Sequence, residues 1–167
     1  MRGIVCLIVL SVIFLALGMG CATTANQQSP TKERVATMVG GYPNGYQDWA
    51  NTVSKVVMDK ASPFYGFQRV LVEDDALLVY KNGGQYPVGS RLVLEFNEPM
   101  KEDLAKGSTN WIAVMTKDST GGSTATGGWI FEAYDGASKM KKEMNVVAGC
   151  FNCHTAVKHK DYVFSSK

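Results

Sequence analysis

The chain has 167 residues, with 17 basic and 15 acidic side chains, a formal net charge of +2 and a pI near 8.3. So mild a balance, its lysines scattered apart from Lys139, Lys141 and Lys142, excludes nucleic acid as a partner chosen by charge. No internal repeat is visible, and the length suits one domain with a single hydrophobic core.

Met1-Arg2 gives a short positive start, Ile4 to Leu17 is an almost unbroken apolar run, and Gly18 and Gly20 lead into Cys21. This is the layout of a secretory signal. The run falls short of the ~20 residues of a spanning helix, so export is expected rather than a retained anchor. A Cys after a small residue at the end of such a run is where bacterial lipoproteins are cut and acylated, which makes Cys21 a candidate lipid anchor. Leu17 stands four residues ahead of Cys21 rather than three, and cleavage after Ala25 by the ordinary peptidase fits as well. The organisation expected is a signal peptide over 1–20, a processing site and polar tether over 21–40, and a folded domain over 41–167. The tether is too poor in apolar residues to pack. The mature protein is expected in the periplasm, free or anchored as a lipoprotein.

Within the domain, Trp49, Val53, Val56 and Val57 recur at helical spacing and predict a helix from Tyr46 to Met58, preceded by Pro43 and Gly45. Asp74 or Asp75 caps a shorter helix through Tyr80, stopped by Asn82-Gly83-Gly84, although Ala76 to Tyr80 also reads as a strand. Four segments read as strands: Phe67 to Val72, Arg91 to Phe96, Trp111 to Lys117 and Trp129 to Tyr134. In the second, Leu92, Leu94 and Phe96 fall on one face, and Arg91, Val93 and Glu95 on the other. Tyr86-Pro87-Val88-Gly89 and the glycine-rich 121–128 are turn material. Ser138 to His159 reads as helical, interrupted at Gly149. The fold class expected is α+β, a mainly antiparallel sheet with flanking helices and a C-terminal helix.

Cysteine usage is the most informative feature. Cys6 leaves with the signal and Cys21 sits at the processing site, so the domain keeps only Cys150 and Cys153, in Cys150-Phe151-Asn152-Cys153-His154. C-x-x-C-H is the pattern of c-type haem attachment. Two thiols add across the vinyl groups, and the His that follows is carried beneath the ring to meet the iron. One covalent haem c per chain is therefore expected, with Cys150 and Cys153 binding the cofactor and His154 the metal. Three other readings stand beside it: a disulfide, which needs no His; a thioredoxin-like pair, which wants a βαβ setting; and a zinc site of Cys150, Cys153, His154 and His159, crowded into one segment.

Only 13 residues follow His154, so any Met ligand comes from upstream. Met115 and Met100 are the candidates, each also a natural packing residue. His159, five residues on, cannot reach the opposite haem face. Four segments together resemble the cytochrome P-460 family, which includes the β-sheet cytochromes c′. They are Tyr86-Pro87-x-Gly89-Ser90 leading into Leu92-Val93-Leu94-Glu95; Trp111 to Lys117; Gly127-Gly128-Trp129; and the closing haem motif with Asp161-Tyr162-Val163-Phe164. The resemblance spans roughly Tyr42 to Ser165 and implies a homodimer. It also implies that hydroxylamine-oxidising members carry a lysine crosslinked to the haem, matched here by Leu94, and a distal carboxylate, matched near Ala113. Neither group is present, and Lys81 is the nearest lysine.

A distal face of Leu94 and Ala113, with Phe64 or Phe67, offers no strong ligand and no proton donor. Such a pocket favours small neutral gases, NO and CO, over O₂, which gains from a hydrogen-bond donor. For each of these apolar residues, plain core packing is the competing reading. Arg69 suits either a haem propionate or a surface ion pair. Two function classes follow: a gas-binding haem protein with five-coordinate iron, or a periplasmic electron carrier with a Met sixth ligand and a redox partner protein. A hydroxylamine- or NO-oxidising enzyme is the third, and requires a Lys–haem crosslink.

Overall fold

The computed structural model describes residues 40–99, 106–118 and 123–165. The signal, Cys21, the tether and Met100 lie outside the described residues. Five strands, β1 (Ala50–Val57), β2 (Gly66–Val72), β3 (Arg91–Pro99), β4 (Lys106–Lys117) and β5 (Trp129–Asp135), form one antiparallel sheet in sequence order. Helix α1 (Asp74–Asn82) bridges β2 and β3, with Asp74 and Asp75 in its first turn, Lys81 in its last and Gly83 at φ 81° just beyond, in keeping with the helix dipole. The α+β class expected from the sequence is observed. Among the described residues no helix is long and apolar enough to cross a membrane.

The predicted helix over Tyr46–Met58 is corrected. Tyr46–Asp48 form a single 3-10 turn and Ala50–Val57 is the edge strand of the sheet. Thr52, Val53, Val56 and Val57 are β-branched, and their stiff side chains favour extended backbone. A bulge between Asn51 and Val53 shifts the register by one residue. That extra residue turns a two-residue alternation into the three- and four-residue spacing of a helix. The four other strands include the segments read from the sequence, with β3 running on to Pro99 and β4 starting earlier, at Lys106.

Register sorts the side chains onto two faces. Val72, Leu92, Met115 and Phe131 form one cross-strand row, and Val70, Leu94, Ala113 and Ala133 the next. These residues share a face, on which Ala76 and Tyr80 of α1, Tyr86 before β3, Trp129 at the start of β5 and Val163 of the C-terminal segment pack. Leu71, Val93, Ile112, Val114 and Tyr134 form the opposite core beneath Tyr42, Tyr46 and Trp49. The segment over 40–49 is tied down by Arg91, whose Nη2 donates to the Gly41 carbonyl at 2.9 Å, and by Glu132 Oε2, which accepts from the Gly41 N–H at 2.7 Å.

Glu95, fully buried on this second face, links β2, β3 and β4. Arg69 donates from Nε (2.9 Å) and Nη2 (2.5 Å), Thr109 Oγ1 at 2.6 Å and Asn97 Nδ2 at 3.1 Å, and Lys106 Nζ lies at 3.0 Å. Burial opposes the charge, but these donors outweigh it and hold the Glu95 carboxyl down at about 2.

The C-terminal segment is helical over a shorter span than Ser138 to His159. It runs as a π-helical turn (Val147–Phe151), a turn of α-helix (Asn152–His154) and a 3-10 stretch (Thr155–Lys160). Upstream, Asp135 Oδ1 accepts from the N–H groups of Ala137 and Ser138 and from Ser138 Oγ. Lys139 stands at φ 59° and Tyr134 bridges to Lys141. A carboxylate that satisfies local N–H groups holds a turn in place of a helix.

Candidate functional site

The segment 147–160 carries Cys150, Cys153 and His154 along the edge of the first face. Asn145 opens it, its carbonyl accepting from Gly149 N–H at 2.8 Å and its Oδ1 from Ala148 N–H at 3.1 Å. The π-turn that follows contains Cys150, and such turns recur at functional sites. Phe151 anchors the segment, its ring 6.0 Å from Phe131 and 5.3 Å from Tyr162. Both cysteines are free thiols, Cys150 half-buried and Cys153 exposed. Burial, and then Cys153, push the Cys150 thiol up.

His154 is wedged between Phe131 and Phe164, ring centroids 5.2 and 5.1 Å away. Its Nδ1 lies 2.7 Å from the Tyr162 carbonyl. A carbonyl only accepts, so Nδ1 carries the proton and Nε2 keeps the lone pair a metal needs. Burial lowers the imidazole's pKa against the opposing effect of that bond, and so favours the neutral ring.

The acceptor carbonyl is held in an unusual backbone. Asp161 (φ 53°) and Tyr162 (φ 63°) are consecutive left-handed residues, neither glycine, a conformation that costs roughly 1–2 kcal/mol per residue. Asp161 Oδ1 accepts from Lys117 Nζ at 2.6 Å and Oδ2 from Tyr86 N–H at 2.9 Å, and its carbonyl accepts from Trp129 Nε1 at 2.8 Å. Hydrogen bonds to a charged group contribute about 1.5–3 kcal/mol each, enough to offset the strain. The Tyr162 ring lies over Gly127, where an added Cβ would come within 2.3 Å of it.

Beside His154 the first face is open. Val70, Leu94 and Ala113 are only half-buried, and Leu94 and Ala113 are direct cross-strand partners. At the next row Phe64, Phe96 and Trp111 stack, with centroids 6.2 and 3.9 Å apart. Gln68 is the polar exception there, its buried Nε2 donating to the Phe64 carbonyl.

Two predicted site residues lie elsewhere. Phe67 alternates with Gln68 and so shares the second face with Leu71, paired with Asn97 and Val56. Arg69 occupies the same face, where its guanidinium is committed to Glu95 rather than to a propionate. A period of two decides this, since a one-residue step reverses the face. Phe64, Leu94 and Ala113 do share the face that carries His154's packing partner Phe131. Met115 also lies on it, packed in the core. His159 is exposed, as expected from its spacing.

Sequence reasoning missed Phe96, Trp111, Asp161 and Tyr162. The first two share strand parity with Leu94 and Ala113, a signal that was legible; the contacts of the last two join segments far apart in the chain. Lys81 is exposed at the end of α1, and Lys117 is spent on Asp161.

The donor set fits a haem: two thiols one helical turn apart, the adjacent imidazole presenting Nε2, and a half-covered apolar floor alongside. Among the described residues no three of His, Cys, Asp and Glu converge as metal ligands, and the meander holds no βαβ unit. The zinc and thioredoxin readings therefore find no support. Compared with known proteins, the family model for Cytochrome P460 matches residues 43–165. No curated protein matches the chain.

Proposed function

Because this chain belongs to the cytochrome P460 family, and is thus a haem cytochrome, we propose that it holds one haem c through Cys150 and Cys153 and binds small neutral gases, NO and CO. The observation that carries this reading is the Leu94–Ala113 pair, half-buried on the face that packs against His154 through Phe131. A haem held there by Cys150, Cys153 and His154 would supply an iron able to take a small diatomic ligand. His154 presents Nε2 as the proximal donor, with its tautomer held by Tyr162. With a haem over them, Val70, Leu94 and Ala113, with the stacked Phe64, Phe96 and Trp111, would keep water from a bound ligand and give it neither a second strong donor atom nor a carboxylate.

The enzyme reading needs a lysine beside the haem and a proton-moving carboxylate. Leu94 and Ala113 occupy the matched positions, and of the neighbouring lysines Lys117 is bound to Asp161. The electron-carrier reading rests on Met115, which shares the face but contributes to core packing. The same proposal includes export to the periplasm, with lipid attachment at Cys21 or ordinary cleavage, and a homodimer.

Protein matured with a haem-attachment system tests these points together. A covalent haem in the intact mass, no further crosslink, and a high-spin ferrous form that binds CO at once are the expected results. A low-spin ferrous form inert to CO overturns gas binding in favour of the electron carrier. A Lys–haem crosslink with a red-shifted ferrous band revives the enzyme.

A further inference from the structure

All four segments that carry the family resemblance meet at one residue that touches neither thiol nor imidazole. Asp161 receives Lys117 from the end of β4 at 2.6 Å, Trp129 Nε1 from the start of β5 at 2.8 Å, and the Tyr86 N–H from the turn before β3 at 2.9 Å. Its own segment follows the haem motif, and its N–H closes a turn to Lys158 at 3.1 Å. Asp161 is 4 % exposed and the Lys117 side chain 14 %, so little water competes for these bonds. Lys117 also lies over the Trp129 ring, 4.9 Å from its centroid.

The next residue, Tyr162, supplies a hydrogen bond to the His154 imidazole. The direction of the Tyr162 carbonyl follows from the left-handed dihedrals at Asp161 and Tyr162. Those dihedrals are held on one side by the Asp161 contacts. On the other they are held by the Tyr162 ring, seated over Gly127 and against Phe151. A proximal imidazole that donates more strongly from Nδ1 becomes a stronger donor at Nε2. The orientation of one carbonyl therefore sets how hard His154 pushes electron density toward whatever Nε2 binds.

We infer that Asp161 is a positioning residue for the haem ligand, one that tunes the iron–His154 bond through the Tyr162 carbonyl and links it mechanically to the sheet edge at Lys117 and Trp129. This rests on the haem reading. It goes beyond that reading by placing control of proximal bond strength in an ion pair that lies outside the haem motif and its open face.

The test compares matured wild-type protein with Asp161→Asn and Lys117→Met. Asp161→Asn keeps the shape and one acceptor but loses the charge; Lys117→Met removes the partner and leaves the Tyr86 and Trp129 bonds in place. With haem attached in each, the ferrous iron–His stretch is expected to move to lower frequency in both variants and the reduction potential to rise, Asp161→Asn more than Lys117→Met. Asp161→Glu, which restores the charge, is expected to return part of both shifts. A purely structural role would lower the thermal midpoint and leave stretch and potential at the wild-type values, and that outcome overturns the inference. If Asp161→Asn does not fold, Lys117→Met decides alone by the same two readings. Absence of covalent haem in the wild-type protein would defeat the haem reading itself, which is distinct from a haem-loaded set of variants with unshifted spectra.

Discussion

A single backbone oxygen, the Tyr162 carbonyl, lies 2.7 Å from His154 Nδ1, and the residues packed around Tyr162 help to hold it there. Gly127 is one of them. At φ 67° and with the Tyr162 ring where a Cβ would go, it has both reasons to be glycine. Gly127→Ala is expected to destabilise the fold by about 1–3 kcal/mol, measured as a fall in the denaturant midpoint with unchanged slope. Leu94 offers a complementary test of the open face. Leu94→Gln places an amide donor among apolar neighbours, and the expected result is a gain in O₂ affinity relative to CO, read from ligand titrations of the ferrous protein. An unchanged ratio would mean that Leu94 does not face the bound ligand. The Cys150-x-x-Cys153-His154 motif is readable at this scale because its five residues are consecutive.

The sheet owes its rigidity to side chains that join strands in pairs. Glu95 is the most consequential, fully buried with donors from β2, β3 and β4. Its carboxyl ionises at about 2 in the fold against an ordinary 4.5, so the folded state holds its proton less tightly than the unfolded chain does. The stability this gives is fully present above pH 4.5 and is lost as the pH falls from there toward 2. Acid titration of the unfolding free energy should show that loss, and Glu95→Gln should flatten it. Removing one partner of a buried ion pair costs about 3–5 kcal/mol; with the Lys106 side chain 37 % exposed and able to rehydrate, the low end is expected at neutral pH. At this scale β2 to β5 were legible from alternation and α1 from its Asn82-Gly83-Gly84 stop, but its N-cap is Glu73, without a side-chain cap bond, and not Asp74 or Asp75, which lie in the first turn. Strand β1 was not legible, because its bulge mimics helical spacing. Nor was the turn after Asp135, because one carboxylate outcompetes helical hydrogen bonds over a few residues.

For the molecule as a whole, the open first face makes a prediction about maturation. Val70, Leu94 and Ala113 are half-covered, and Phe64 and Phe164 are 43 % and 54 % exposed. Covering each such side chain contributes about 1 kcal/mol. Haem-loaded protein is therefore expected to unfold at a higher temperature than unmatured chain, and to lose the dye binding that exposed apolar surface supports; equal midpoints would place the haem away from this face. The sequence by itself determined the family, the α+β class and the alternation that puts Leu94 on one face, because each depends on residues adjacent in the chain or two apart. Only the tertiary structure decided that Phe67 and Arg69 belong to the opposite face. Only it showed that the Phe96 and Trp111 rings stack on each other beside the open one, and that the Tyr162 carbonyl lies against His154 Nδ1. These are contacts between segments tens of residues apart, fixed by register across strands and by the packing of the C-terminal segment against the sheet, and no local pattern encodes which distant partner a buried charge will find.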